Sequence, residues 1–240
     1  MSRVCAIAAL IGALAHTVGM LLAEELLLLG LDPVEGMVVN NARRELLVGL
    51  DGALIGELAL AGLVDLSGKR FIAVGWPPGD PLLAAVHQAL AQSTGRRAAD
   101  QLRGLDEGIG GVWSRLVDGL ADRGVLGRRR DRVFLFTVTR HPVLQPAVRE
   151  ELLERVRAAA SGEGEIEPRT AVVLALAGPS RLLEVVAPDE AGRRHAKRRI
   201  ETATELTPVA PVVKKVIAEM QAATAAVVMA AAAGGAASSS

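Results

Sequence analysis

The side chains with the clearest chemical potential in this sequence are arginines that occur in short clusters. A guanidinium group presents several coplanar donors and pairs well with phosphate or carboxylate oxygens. Such clusters can form a surface for anionic lipid, with each residue contributing about 1 kcal/mol near an anionic membrane, or they can be ordinary solvated arginines. The arginines concerned are Arg43, Arg44, Arg115, Arg123, Arg128, Arg129, Arg130 and Arg132.

Catalytic chemistry has no support in the residue spacing. His16, His87, His141 and His195 are scattered, and the sequence has no H-E-x-x-H, no G-x-S-x-G and no phosphate-binding P-loop. A single cysteine, Cys5, excludes a disulfide framework and a cysteine metal site. The sequence therefore predicts a protein with no enzymatic activity, no metal and no cofactor.

The composition favours a helical core and a neutral surface. The 240 residues are 50% hydrophobic but only 2% aromatic, so the core has to be leucine, valine and alanine. Lys+Arg and Asp+Glu are both 27, so the net charge is zero. Any attraction to a membrane or a nucleic acid must therefore come from local charge asymmetry.

Two apolar helices between Met20 and Leu66 are predicted to organise the rest of the chain. The first is leucine-rich nearly all round, with Glu24 and Glu25 as its polar edge, which is typical of a buried helix. It is too short to cross a bilayer, which needs about 20 apolar residues. The second helix, Val48 to Ala61, carries small residues that let a neighbouring helix approach closely.

The later segments predict further helices and two short hairpins. Asp106 to Arg123 is predicted to be one helix, and Val125 to Thr137 a hairpin with the basic run Arg128–Arg130 at its tip. Phe134 and Phe136 alternate with Leu135. Both rings therefore share one strand face, where they can contact a membrane or a partner, or cap the core. The predicted fold class is mainly α.

The two ends of the chain differ from its middle in composition. Residues 1–19 form an apolar N-terminal extension with three open interpretations: a short secretory signal, an apolar helix, or an upstream extension with Met20 as the true start. Residues 230–240 contain only alanine, glycine and serine, and are expected to be disordered. The remaining residues, 20–229, are predicted to form one globular domain.

Six segments in this order resemble the Golgi phosphoprotein 3 family, which also has many bacterial members. No single segment is diagnostic, but their succession across residues 20–229 is specific. The segments are LLAEELLLLGLD (Leu21–Asp32), GALIGELALAGLVDL (Gly52–Leu66), PPGDPLL (Pro77–Leu83), LADRGVL (Leu120–Leu126), FLFTVTRHP (Phe134–Pro142) and AKRRI (Ala196–Ile200).

This resemblance implies a single globular multi-helix domain with a β-hairpin projecting from one face. In the eukaryotic members the domain is a peripheral Golgi membrane protein that recognises phosphatidylinositol 4-phosphate and is an adaptor for glycosyltransferase tails, without enzymatic activity. For this chain it implies a cytoplasmic location, peripheral at the inner face of the membrane. The implied partners are an anionic lipid surface and proteins, or a second copy bound through the hairpin, but no nucleic acid.

The lipid pocket of those eukaryotic members is where this sequence departs from the family. Their headgroup site uses a tryptophan and three arginines, and the matching positions here are Asn41 (or Ala42), Asp51, Gly110 and Trp113. Arginine–phosphate pairs supply the affinity of such sites, and an aspartate repels a phosphate. The resemblance therefore implies that the fold is kept while the phosphoinositide specificity is weakened or lost. It also implies that the arginine clusters lie near one end of the domain.

Two alternative functions stay open. A helix ending in Arg123, followed by a hairpin with an arginine-rich tip, is also typical of a winged-helix nucleic-acid binder. The apolar helices and neutral charge argue against that reading, because neither suits a DNA groove. A soluble scaffold that binds only proteins is the other alternative.

Overall fold

The computed structural model describes residues 19–133, 136–162, 165–206 and 209–222. The helices in these ranges are α1 (Leu22–Gly30), α2 (Arg43–Leu60), α3 (Pro81–Gln92), α4 (Ala98–Arg103), α5 (Leu105–Gly108), α6 (Val112–Asp122), α7 (Pro146–Ser161), α8 (Pro168–Ala177), α9 (Leu183–Val186), α10 (Glu190–Leu206) and α11 (210–222). The strands form two antiparallel hairpins, β1 (Val64–Ser67) with β2 (Arg70–Ala73), and β3 (Arg129–Val133) with β4 (Phe136–Arg140). The predicted mainly α class is confirmed.

Helices α1 and α2 form the centre of the core, as the sequence predicts. Every residue of α1 is buried, and the helix packs against α2, α7 and α8. Helix α2 begins at Arg43, earlier than the predicted Val48, and its buried face includes Leu50, Leu54 and Leu58. Because α1 is enclosed on all sides, its position is fixed by apolar packing along its whole length.

The predicted polar edge of α1 is not a solvent-facing edge. Glu24 and Glu25 are both buried, because neighbouring helices leave no water beside them. Glu24 pairs with Arg123 at 2.6 Å, while Glu25 pairs with Arg155 at 2.7 Å and Arg169 at 3.2 Å. The carboxylates therefore anchor α1 through buried ion pairs.

Two glycines of α2 let other helices come close, as the sequence predicts. A Cβ atom added at Gly52 would lie 2.4 Å from Cγ1 of Val216, on α11. One added at Gly56 would lie 3.0 Å from Cγ1 of Val172, on α8. Both distances are shorter than ordinary van der Waals contact, so the absence of a side chain sets the spacing between these helices.

We expect Gly52→Ala to destabilise the protein by about 1–3 kcal/mol, because overpacking against Val216 outweighs the better helix propensity of alanine. The matched control is Gly119→Ala in α6, where the nearest atom to an added Cβ is Oε1 of Glu24 at an ordinary 3.7 Å. That substitution should stabilise by up to about 1 kcal/mol. Urea unfolding measures both, and equal stabilisation by the two alanines would contradict the close contact.

The single helix predicted for Asp106 to Arg123 is wrong. The chain forms α5 and α6 instead, separated by a loop in which Gly110 and Gly111 have φ values of +77° and +94°. Only glycine adopts such angles readily, and they are incompatible with a continuing right-handed helix. The break turns α6 so that Trp113, one residue into it, faces the N-terminal end of α2.

The second hairpin is confirmed, but its bounds differ from the predicted Val125 to Thr137. Its strands pair from Arg129 opposite Arg140 to Val133 opposite Phe136. Val125 and Leu126 belong to the core instead, because Gly124 ends α6 with a φ of +70° and turns the chain inward. The basic run predicted at the tip therefore lies at the start of β3, away from the tip.

Some predictions fall outside the described residues. These are the extension up to residue 18, Phe134, the side chain of Phe136, and the tail 230–240. The division of the chain into an extension, one domain of residues 20–229 and a tail stays a prediction.

Candidate functional site

A pocket of about 430 Å³ opens where the start of α2, the start of α6 and the return strand of the hairpin meet. Its walls come from three separate stretches of the chain, which are residues 36–43, residue 113 and residues 138–141. The lining residues are Gly36, Met37, Val38, Asn41, Arg43, Trp113, Val138, Thr139 and His141.

The charged element of this pocket is Arg43, the first residue of α2. Its guanidinium carbon lies 4.4 Å from the centre of the Trp113 ring, which is a cation–π contact. Asn41 lies beside it in a 3₁₀ turn with a φ of +51°, a conformation that asparagine tolerates better than most residues. The ring holds the arginine in place while the arginine itself stays exposed.

The hairpin is joined to the pocket floor through Gly36. This glycine has a φ of +64°, and a Cβ atom there would lie 2.2 Å from the backbone carbon of His141. The backbone nitrogen of His141 donates to the carbonyl of Gly36 at 3.1 Å. The turn after α1 and the end of β4 therefore form one wall, which only glycine at position 36 allows.

His141 adds a neutral side chain to the pocket. Burial lowers the pKa of His141 below its ordinary value. A hydrogen bond to the Gly127 carbonyl, with Nδ1 3.3 Å from that oxygen, opposes this effect, while Arg128 and Arg43 reinforce it. At neutral pH the imidazole is uncharged, so Arg43 is the cation lining the pocket.

A sequence model of the Golgi phosphoprotein 3 (GPP34) family matches residues 22–220. The chain belongs to the Golgi phosphoprotein 3 family. The match covers the helical core, both hairpins and every wall of the pocket. It confirms the resemblance that the six sequence segments carry.

A relative in this family is the vacuolar protein sorting-associated protein 74 of Eremothecium gossypii. It is 28% identical over 160 residues, which cover 56% of this chain. The same alignment covers 47% of that protein, so the chain spans about half the length of the curated relative it matches.

The four positions at which the sequence resemblance predicts the headgroup site do not lie together. Asn41 and Trp113 line the pocket. Gly110 is exposed in the loop before α6, with no atom within 4 Å of an added Cβ. Asp51 is buried within α2, at 5% exposure, and is absent from the pocket walls. The pocket thus brings Asn41, Trp113 and Arg43 together and leaves out Gly110 and Asp51.

Asp51 has an unusual environment. Its Oδ1 atom is buried and has no hydrogen-bond partner among the described residues. Burial raises the pKa of Asp51 to about 8, and the nearby Asp106 carboxylate contributes to the rise. Asp51 is therefore mostly protonated at neutral pH, so it places little negative charge near a bound anion.

The candidate arginines fall into two classes. Arg115 donates to the Ile109 carbonyl at 3.2 Å, and Arg43, Arg44, Arg130 and Arg132 have no carboxylate partner within the described ranges. The other three form ion pairs: Arg123 with Glu24, Arg128 with Asp118 and Asp122, and Arg129 with Glu35 and Asp131.

The two faces of the β3–β4 hairpin differ in charge. Arg130 is paired across the strands with Thr139, and Arg132 with Thr137, so these four side chains share one face. The other face carries Arg129, Asp131, Val138 and Arg140. Ion pairs join Arg129 and Arg140 to both Asp131 and Glu35. The face of Arg130 and Arg132 is therefore the one available to an anion.

Exposed apolar side chains surround the same end of the molecule. Val34 and Met37, in the turn after α1, are 69% and 47% exposed, and Leu144, after the hairpin, is 58% exposed. Val143 donates to the carbonyl of Pro33 at 2.9 Å, which brings the two segments together. Exposed apolar residues of this kind beside arginines are typical of interaction surfaces.

Sequence reasoning missed six of the pocket residues, which are Gly36, Met37, Val38, Val138, Thr139 and His141. The only available signal was the His141–Pro142 break after an apolar strand. Across the described ranges no three His, Cys, Asp or Glu side chains meet as metal ligands. No helix there combines the length and apolar content needed to cross a membrane.

Proposed function

We propose that this domain binds anionic membrane surfaces peripherally, through the end that carries the Arg43–Trp113 pocket and the β3–β4 hairpin. The proposed location is cytoplasmic, at the inner face of the membrane. The role is non-enzymatic, and selectivity for phosphatidylinositol 4-phosphate is weak or lost. The observation that carries the proposal is Arg43, held over Trp113 beside exposed apolar side chains and the unpaired Arg130 and Arg132.

The pocket supports binding of a single phosphate rather than selective binding of a phosphomonoester. A phosphomonoester carries close to two negative charges and is bound tightly where several cationic donors converge. Here one cation, Arg43, lines the pocket, and His141 is neutral. A phosphodiester headgroup with one charge matches that arrangement as well as a phosphoinositide does.

The surrounding surface supplies the remaining attraction. Arg44, Arg130 and Arg132 are exposed and unpaired within the described ranges, and each contributes about 1 kcal/mol near an anionic leaflet. Val34, Met37 and Leu144 add apolar area that can enter the headgroup region. Attraction of this diffuse kind weakens with salt, because charges are screened over about 8–10 Å at physiological ionic strength.

Co-sedimentation with phosphatidylglycerol vesicles tests the proposed face. We expect the double substitution Arg130→Ser and Arg132→Ser to weaken binding about thirtyfold, since two membrane-facing charges of about 1 kcal/mol each are lost. The matched control removes two charges from α10 by Lys197→Ser and Arg198→Ser. Both control residues are exposed, and α10 packs against α7 and α8. Binding of the control variant should change less than about twofold, because its two charges belong to neither the pocket walls nor the hairpin.

Three results would contradict the proposal in different ways. Equal weakening by both double variants would mean that net charge matters and the hairpin face does not. No sedimentation with any vesicle would favour the protein scaffold, and equally strong binding to duplex DNA at the same salt would favour the nucleic-acid reading.

A further inference from the structure

The first hairpin carries a separate surface at the far end of α2. Phe71 of β2 points into the core, so Ile72 and, just past the strand, Val74 point outward. Their exposures are 38% and 43%, and Trp76, which follows, is 88% exposed. A tryptophan so exposed, adjoining two exposed aliphatic side chains, forms an apolar strip that no described part of the chain covers.

A group of cations flanks this apolar strip. Lys69 lies in the β1–β2 turn and Arg70 begins β2, and the backbone nitrogen of Ala98 donates to the carbonyl of Lys69 at 2.8 Å. That bond brings Arg97 beside Lys69. All three cations are exposed, and none has a carboxylate partner within the described ranges.

The acidic residues near the strip already accept hydrogen bonds or form ion pairs, and they are fewer than the cations. Asp80 caps α3 by accepting from the backbone nitrogens of Leu82 and Leu83, and Asp100 pairs with Arg103. Asp65, paired across the strands with Ile72, accepts from the backbone nitrogen of Leu66. Lys69, Arg70 and Arg97 stand against Asp65 and Asp80, so the formal balance of the strip is positive by one, and its chemical complement is acidic and apolar.

The strip is well separated from the proposed membrane face. Val74 donates to the carbonyl of Leu63, just beyond the C-terminal end of α2, whereas Arg43 is the first residue of that helix. An 18-residue helix is about 27 Å long, at 1.5 Å per residue. A partner can therefore bind the strip while a membrane occupies the other end.

We propose that this strip binds an extended, acidic and apolar segment of a partner protein. From Lys69 to Trp76 the strip is at most about 23 Å long at 3.3 Å per residue, because the chain bends at Gly75, so it suits up to about seven residues. Trp76 is the anchor, because exposed tryptophans dominate the binding energy of interfaces. The cations select acidic side chains and set the direction of the segment.

Selection of a random peptide library against the whole protein tests the proposal. We expect acidic and apolar peptides to be enriched, and Trp76→Ser to weaken their binding about tenfold or more. Lys69→Glu with Arg97→Glu should also weaken it, more strongly at low salt. Val34→Ser is the matched control, because it removes another exposed apolar side chain, at the opposite end of α2, and should leave binding unchanged.

The two tryptophans allow a direct readout of the site. Trp113→Phe leaves Trp76 as the single fluorophore in the chain. Binding of a selected peptide should then shift its emission to shorter wavelength as the ring leaves water. Enriched peptides that are basic, or that ignore Trp76→Ser, would overturn the proposal. So would an equal shift with phosphatidylglycerol vesicles, since it would assign the strip to the membrane.

Vesicle binding keeps this inference separate from the proposed function. Trp76→Ser should leave sedimentation with phosphatidylglycerol vesicles intact, while the Arg130 and Arg132 substitutions should leave peptide binding intact. Loss of vesicle binding by Trp76→Ser would overturn the separation of the two surfaces. If the Arg130 and Arg132 substitutions do not weaken vesicle binding, the proposed function is contradicted. The peptide-binding result would still stand in that case.

Discussion

Replacing Arg169 with methionine is expected to destabilise the domain by about 3–5 kcal/mol, because it leaves Glu57 without a cation and the buried Glu25 with one cation instead of two. Arg169 pairs with Glu25 at 3.2 Å and with Glu57 at 2.6 Å, and it also donates to the Met20 carbonyl. Glu25 has a fully buried side chain and keeps only Arg155. Glu57 in turn accepts from the backbone nitrogen of Leu22 at 2.6 Å, so the first turn of α1 loosens as well.

Urea unfolding with two companion variants isolates this effect. Arg194→Met removes an exposed pair with Glu190 and should change the unfolding free energy by less than about 1 kcal/mol. Adding Glu57→Gln to Arg169→Met should recover part of the loss, since the carboxylate left without a cation is then neutral and can still accept from the Leu22 backbone nitrogen. If Arg169→Met lowers the unfolding free energy no more than Arg194→Met does, the ion pairs of Arg169 with Glu25 and Glu57 do not have a central role in stability.

Replacing Asp51 with asparagine is expected to stabilise the protein in alkaline solution and to flatten its pH dependence. The pKa of Asp51 is about 8 in the folded protein, against an ordinary value of 3.8, because the carboxyl is buried and Asp106 lies near. Between these values the folded chain binds a proton that the unfolded chain has lost. The stability of the wild type should therefore fall as pH rises from about 4 to about 8, then level off.

The comparison of wild type and Asp51→Asn across pH gives the size of this effect. All other titrating groups are shared, so the difference between the two unfolding free energies reports Asp51. It should be small near pH 4 and grow by about 1.4 kcal/mol per pH unit through the window. Asp106→Asn should make the fall in stability level off at a lower pH than in the wild type, because one cause of the raised pKa of Asp51 is removed. If the unfolding free energies of wild type and Asp51→Asn change with pH in parallel, the raised pKa of a buried Asp51 carboxyl is contradicted.

The sequence predicted the helical core well, because apolar periodicity and capping residues act locally. Asp80 caps α3 with Pro81 at its first position, and the break near Gly178 separates α8 from α9. The predicted bounds of the second hairpin were wrong because two neighbouring sequence signals, a strand-like composition and a glycine turn, indicate different structures. Val125 and Leu126 have the composition of a strand, yet Gly124 turns them into the core, which displaces the basic run from the tip into β3.

The site was less predictable, because it depends on contacts between distant segments. The carboxylates that neutralise Arg123 and Arg129 lie about 100 residues away, at Glu24 and Glu35. From its place in the sequence, Asp51 was predicted to be a charged residue facing a phosphate. Its burial in α2 makes it a mostly neutral group instead. The contact of Arg43 with Trp113 needs the break at Gly110, which periodicity did not reveal.

The most direct test of the central claim compares phosphatidylglycerol vesicles with phosphatidylinositol 4-phosphate vesicles of matched surface charge over a salt series. With one arginine in the pocket and a diffuse cationic face around it, the protein should bind both kinds alike. Binding should fall steeply as salt rises and be absent on neutral vesicles. Tight, salt-resistant binding that prefers phosphatidylinositol 4-phosphate would contradict the account, because it would require a headgroup pocket with several converging cations.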